Sequence, residues 1–221
     1  MEIIGTLFQP IVDIMKVLLG YAYQLTQVLG YPSYGIAIII LTLVIKGVLA
    51  PLTVKQVRSM KAMQALQPKI KALQAKFKDN PQQLQVEMSM LYKEAGVNPL
   101  AGCLPLLVQM PFLIAIYWAL MQYQYDPQFV SFLWLPSLGE ADPTHILPIL
   151  SAISTWIISR QTSQSAGATG PAASQQKIMT IIMPLFIGYI SWSFPSGLVI
   201  YWVVSNVFQL VQQYFIYKET K

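Results

Sequence analysis

Residues 34–53 carry a single charge, Lys46, among twenty otherwise uncharged and largely apolar positions. A run of that length crosses the roughly 30 Å hydrocarbon core of a bilayer as one α-helix, so the chain has to fold around a membrane. At about 1.5 Å of rise per residue, Lys46 lies about 18 Å from the Tyr34 end and about 10 Å from the Thr53 end. A lysine at that depth costs on the order of 3 kcal/mol on insertion scales and usually faces a water-filled cavity or a functional pathway. The plain alternative is that its aliphatic stem snorkels to the nearer interface.

Four more apolar runs follow, at residues 100–121, 145–159, 178–194 and 198–217. Allowing for tilt, all but 145–159 are long enough to cross the bilayer. A composition of 55% hydrophobic and 10% charged residues is that of a polytopic membrane protein rather than a soluble domain. Orientation follows from where the charges sit. Residues 54–99 hold eight basic residues against Asp79, Glu87 and Glu94, whereas 122–144 hold no Lys or Arg, only Asp126, Glu140 and Asp142. By the positive-inside rule the first segment is cytoplasmic and the second external. Arg160 and Lys177 flank the next loop, and Lys218 and Lys221 follow the last run. The fold class expected is all-α and polytopic, with five transmembrane helices, the N-terminus outside and the C-terminus inside.

The N-terminal segment, 1–30, shows no basic leader region or small-residue cleavage site and is read as retained. Its polar residues Glu2, Thr6, Gln9, Asp13 and Lys16 recur every three or four positions, which predicts an amphipathic helix lying on the outer membrane surface. A sixth span is the rival reading, disfavoured by Asp13 and Lys16. After the first span, 34–53, residues 54–97 predict a cytoplasmic helical hairpin. Pro68 should kink or break its first arm; Asn80 and Pro81 supply an N-cap and first turn for the second; Gly96 supplies its stop. Residues 100–217 hold the remaining four spans, with an external loop at 122–144 and a flexible Ser/Gly/Ala-rich cytoplasmic loop at 161–176.

Lys55, Arg58, Lys61, Lys69, Lys71, Lys76 and Lys78 make the hairpin a contact surface for anionic groups. Lipid headgroups are favoured over rRNA as their partner, and nothing points to DNA. Met60, Met63, Met88 and Met90 pack within the hairpin or offer adaptable apolar contact to a partner.

Enzyme chemistry has no visible foothold. His145 is the only histidine and Cys103 the only cysteine, so no zinc site or disulfide is expected. The apolar runs contain no carboxylate, and no nucleophile elbow or phosphate loop stands out. Prominent among the polar residues within the runs are Thr42, one turn before Lys46, Gln109 between Pro105 and Pro111, and Tyr201, Trp202, Ser205, Asn206, Gln209, Gln212 and Gln213 in the last run. Each alone suits interhelical hydrogen bonding. Together with Lys46 they suggest a wet concavity.

An ordered set of motifs runs through the chain: Ile45-Lys46-Gly47 with Pro51-Leu52-Thr53, Leu66-Gln67-Pro68-Lys69-Ile70, Asn98-Pro99-Leu100 with Gly102-Cys103, Gln109-Met110-Pro111, Ile146-Leu147-Pro148-Ile149-Leu150, Gln176-Lys177-Ile178-Met179, and Phe194-Pro195-Ser196-Gly197-Leu198 with Tyr201 and Ser205-Asn206. In this order they resemble the YidC insertases of bacterial plasma membranes. The resemblance implies a five-helix core around a hydrophilic groove open to cytoplasm and lipid and closed outside. It places Thr42 and Trp202 near the groove cation, and it sets Lys46 where many members carry arginine. Lysine keeps the charge but lacks the bidentate fork.

The resemblance further implies a multi-pass plasma-membrane insertase and chaperone of the short form, without a large external domain, an enzyme activity, a cofactor or a metal. Its clients are newly made membrane proteins. The Sec translocon, the signal recognition particle pathway and the ribosome are further partners it raises. Substrate-binding residues expected in the groove are Lys46, Thr42, Gln109, Tyr201, Trp202, Ser205 and Asn206. The competing classes are a small anion channel or transporter, which needs a pore open at both faces, and a scaffold that assembles membrane proteins without inserting them.

Overall fold

The computed structural model describes residues 2–97, 104–164 and 178–219. The motif at 98–103, with Cys103, and all but the first residues of the 161–176 loop lie outside them. The described residues are helical: α1 (Glu2–Val28), α2 (Tyr34–Lys76), α3 (Pro81–Glu94), α4 (Leu104–Gln122), α5 (Ile146–Gln164), a π-helical turn (Ile178–Ile182) leading into α6 (Met183–Ser191), and α7 (Ser196–Glu219).

The apolar surface of α1 is split in two. Val12, Met15, Leu19, Ala22 and Thr26, spaced three and four apart, are buried in the core formed with α2 and α4. Ile14, Val17, Tyr21, Leu25 and Val28 form a second, exposed stripe. Between the two lies the polar strip, where Asp13 receives Gln9 Nε2 at 3.0 Å and pairs with Lys16 at 3.4 Å. Half of the apolar surface expected for an amphipathic helix lying on a membrane thus packs against protein. Gly30, at φ 82°, turns the chain into α2, and Ser33 caps α2 by accepting from Ile36 N.

α2 is one helix of 43 residues, about 65 Å long at 1.5 Å per residue. Its stretch Tyr34–Met63, whose most apolar 18 residues have mean hydropathy 2.4, is long and apolar enough to cross a membrane. The helix continues through both Pro51 and Pro68, so Pro68 does not end the first hairpin arm, and the boundary expected at 53/54 falls inside a continuous helix. A proline removes one backbone hydrogen bond, but the residues around Pro68 are strong helix formers. Leu66 and Ile70, on either side of it, are buried. Asn80 accepts from Gln83 N at 3.1 Å and Pro81 opens α3. At its end Gly96 adopts φ 63° and Val97 N reaches back to Tyr92 O at 3.0 Å, a Schellman-type closure.

The 123–145 loop seals one end of the bundle. Tyr34 stacks on Tyr23 with ring centres 3.9 Å apart and meets Tyr123 and Tyr125 edge-on, while its hydroxyl accepts from Asp126 N. Phe132 sits on Gly35 so closely that a Cβ there would lie 2.1 Å from its ring. Leu135 and Leu138 are buried, and the loop is tied to the start of α7 by Ser196 N to Glu140 O at 2.7 Å and Gly197 N to Leu138 O at 2.9 Å. Asp142, also buried, accepts from Leu147 N at 2.8 Å, from Thr144 N and Oγ1, and from Trp134 Nε1. This fixes the entry to α5.

Past this lid, α6 packs on α5, and α5 and α2 pack on α7. α5 and α6 approach closely at Gly188, where a Cβ would lie 2.8 Å from that of Ala152, and Ser151 Oγ donates to Ser191 Oγ at 3.0 Å nearby. The outer surface is strongly apolar: Val44, Val48, Ile153, Leu185, Phe186, Tyr189, Val211 and Phe215 all face outward, as a bilayer requires and water does not.

Candidate functional site

A cavity of about 180 Å³ opens between α2, α4, α5 and α7. On α2 its wall is Lys46, Leu49, Thr53 and Gln56, spaced three, four and three, so one helical face runs from Lys46 toward the hairpin. Trp202, Asn206 and Gln209 do the same on α7. On the other side of Lys46 the bundle closes, with Ile38, Leu41, Leu198 and Tyr201 buried beneath the loop-sealed end.

Lys46 Nζ donates to Gln109 Oε1 at 3.0 Å, and Gln109 Nε2 donates to Tyr201 Oη at 2.5 Å, joining α2, α4 and α7 through one chain of contacts. Opposite, Trp202 Nε1 donates to Thr155 Oγ1 at 2.9 Å, and Asn206 Nδ2 donates to Ser154 and Thr155 hydroxyls, each at 3.0 Å. The wall carries no carboxylate among the described residues. The Lys46 ammonium thus has a neutral acceptor but no counter-ion there, which leaves its field directed into the cavity. No group of His, Cys, Asp and Glu among the described residues is arranged to hold a metal.

Of the seven groove residues expected, Lys46, Gln109, Trp202, Ser205 and Asn206 line this cavity. Thr42 does not. It is fully buried one turn toward the closed end, with its hydroxyl on Ile38 O at 2.6 Å. Tyr201 is likewise 0% exposed and meets Gln109 rather than the open space. Thr155, Thr53 and Gln56 line the wall without having been singled out. Ser151, Ser154 and Thr155, three and one apart in an apolar run, were the readable sign of an inward polar face on α5. On the hairpin, Lys55, Arg58, Lys69, Lys71, Lys76 and Lys78 are exposed and Lys61 half-buried, away from the cavity. Met63 and Met88 are half-buried and Met90 exposed; the Met60 side chain lies outside the described atoms.

The family described as 60Kd inner membrane protein matches residues 24–221. A Clostridium perfringens protein named membrane protein insertase YidC is 47% identical over 187 residues, covering 83% of this chain and 78% of that protein. Membrane protein insertase YidC 2 of Bacillus anthracis is 43% identical over 206 residues, covering 89% and 79%. The Vibrio cholerae protein named membrane protein insertase YidC is 45% identical over 186 residues, yet the chain spans only 34% of its length. Among solved structures, the crystal structure of an active YidC insertase with its first transmembrane domain resolved superposes with a TM-score of 0.70 at 29% identity, over 92% of this chain and 46% of that one.

Proposed function

The chain belongs to the YidC family of membrane protein insertases, and from that premise we propose that it inserts small membrane proteins into the bacterial plasma membrane through the cavity around Lys46. The observation that carries this reading is an ammonium without a counter-ion in the wall of a cavity closed at one end and continuous toward the hairpin at the other.

In this account α2, α4, α5, α6 and α7 are the five spans, the 123–145 loop is external and the α2–α3 hairpin cytoplasmic. A hydrophilic client segment enters from the hairpin side and rests against Gln56, Asn206 and Gln109 instead of crossing bare hydrocarbon. Each unsatisfied polar group would cost several kcal/mol there. An acidic client residue is drawn to Lys46 more strongly than in bulk water, because the surrounding dielectric is lower. Its apolar helix meanwhile moves into lipid between α4 and α6, which face each other across a crevice lined by Leu113, Ile187, Ile190 and Phe194. Apolar burial at roughly 25 cal/mol per Å² drives the transfer. Clients are therefore proteins of one or two spans with short external tails of low positive charge.

The exposed hairpin lysines would hold the cytoplasmic arm near anionic headgroups. A through-pore for anions is poorly supported, since the sealed loop end and a single lysine provide neither a second opening nor a ring of charge. The test is reconstitution. Liposomes containing the purified protein should insert a single-span client with an acidic external tail faster than empty liposomes, and Lys46→Ala should lose most of that gain. Equal insertion by wild type and Lys46→Ala would remove the cationic groove and leave a purely hydrophobic slide.

A further inference from the structure

Tyr201 has no exposed surface, yet it presents a hydroxyl at the edge of the cavity wall, and that hydroxyl accepts the Gln109 Nε2 donor at 2.5 Å. The carboxamide of Gln109 is asymmetric, with an acceptor oxygen on one side and a donor NH2 on the other. A lysine ammonium can only donate. The oxygen of Gln109 must therefore face Lys46, as it does at 3.0 Å, and the NH2 must find an acceptor on α7. The phenolic oxygen of Tyr201 supplies it. With that oxygen gone, the NH2 would gain by turning into the cavity, carrying the carbonyl away from Lys46. The lysine, on a four-carbon stem, would then be free to extend toward the aqueous hairpin end.

We propose that Tyr201 is a positioning residue: by fixing the orientation of the Gln109 carboxamide it keeps an acceptor on the Lys46 ammonium and holds that charge at the cavity wall instead of letting it snorkel. Its consequence for insertion rests on the cationic-groove reading above, whereas the clasp itself can be tested without it. Tyr201 joins α7 to α4, Gln109 joins α4 to α2, and the charge the client meets is set by both. Thr42, the other fully buried polar residue near Lys46, has no part in this, since its hydroxyl is committed to its own helix at Ile38 O.

The experiment measures the rate at which a water-soluble amine-acylating reagent modifies Lys46 in the reconstituted protein, followed by mass spectrometry, with the hairpin lysines as internal reference. Tyr201→Phe keeps the ring and its packing. It should raise the Lys46 rate about tenfold, the equivalent of one hydrogen bond to a charged group; Gln109→Leu should do the same, and the double variant no more than either. A Lys46 rate in Tyr201→Phe equal to wild type overturns the proposal. If Tyr201→Phe also disturbs the hairpin lysines, the double variant compared with Gln109→Leu decides: with the carboxamide gone the phenol oxygen has nothing left to orient, so the two Lys46 rates should be equal, and a further rise in the double variant overturns the proposal. Insertion of the acid-tailed client should fall by the same factor in Tyr201→Phe and Gln109→Leu. Normal insertion by Lys46→Ala alongside raised labelling in Tyr201→Phe would sink the cationic-groove reading and leave the clasp standing.

Discussion

Lys46, Asn206 and Asp142 show three ways a polar side chain is accommodated away from bulk water. Lys46 has one neutral acceptor and an open cavity. Asn206 is buried and spends both amide hydrogens on α5 hydroxyls. Interhelical hydrogen bonds in membranes average about 0.6 kcal/mol, so Asn206→Leu should lose roughly 1 kcal/mol, read as a lower thermal unfolding midpoint in detergent. Asp142 lies in the loop. Burial pushes its carboxyl pKa up, but the donors from Leu147, Thr144 and Trp134 outweigh that and hold it below the usual carboxylate value. The ionised form is thus favoured by folding: its contribution is present above the ordinary carboxylate pKa near 3.8 and is lost as pH falls through the lower folded value. Asp142→Asn should therefore unfold at lower temperature than wild type at pH 7, and the gap should close in unfolding scans run below about pH 4. Which polar residues face the cavity was only partly readable in the sequence. Trp202 and Asn206 fall on the cavity side of α7, while Tyr201, a single residue away, is sealed in. On a helix apolar all round, no hydrophobic stripe marks which face looks inward.

Helix ends were more legible than helix relations, because caps are local chemistry. Asn80-Pro81 and Gly96 announce the start and stop of α3, and the side-chain bond to Gln83 N and the positive φ of Gly96 carry them out. At Pro68 the break allowed for in the first arm does not occur, because the missing hydrogen bond is set against the burial of Leu66 and Ile70 on either side. The split apolar surface of α1 was equally hidden, since a sequence gives the stripe and not its neighbour. Packing between elements yields two predictions. Gly188→Ala places a methyl 2.8 Å from the Ala152 Cβ and should cost about 1–3 kcal/mol as overpacking; Ala152→Gly in the same chain should restore most of the unfolding midpoint. Gly35→Ala collides with the Phe132 ring and should lift the 123–145 loop off α2. Faster protease cleavage within 123–145, with the hairpin's cleavage unchanged, is the readout.

At the scale of the whole molecule the design is an apolar exterior, one sealed end and a cavity in which Lys46 is, among the described residues, the one charged group, at its closed depth. The outward Val44, Val48, Leu185, Phe186 and Phe215 suit lipid, the loop closes the end where Tyr34, Gly35 and Gly197 meet it, and the hairpin stands beyond the other on the continuous α2. Membrane residence and the helical class follow from the apolar runs alone; the closure does not, because it depends on loop residues distant in sequence meeting α2 and α7. Charge at Lys46 is the central claim, and its most direct test is charge reversal in reconstituted liposomes. Lys46→Glu should lose insertion of a single-span client with an acidic external tail and gain insertion of the same client carrying lysine in place of that acid. If Lys46→Glu inserts both clients as wild type does, the charge at this position does not select clients and the account is wrong.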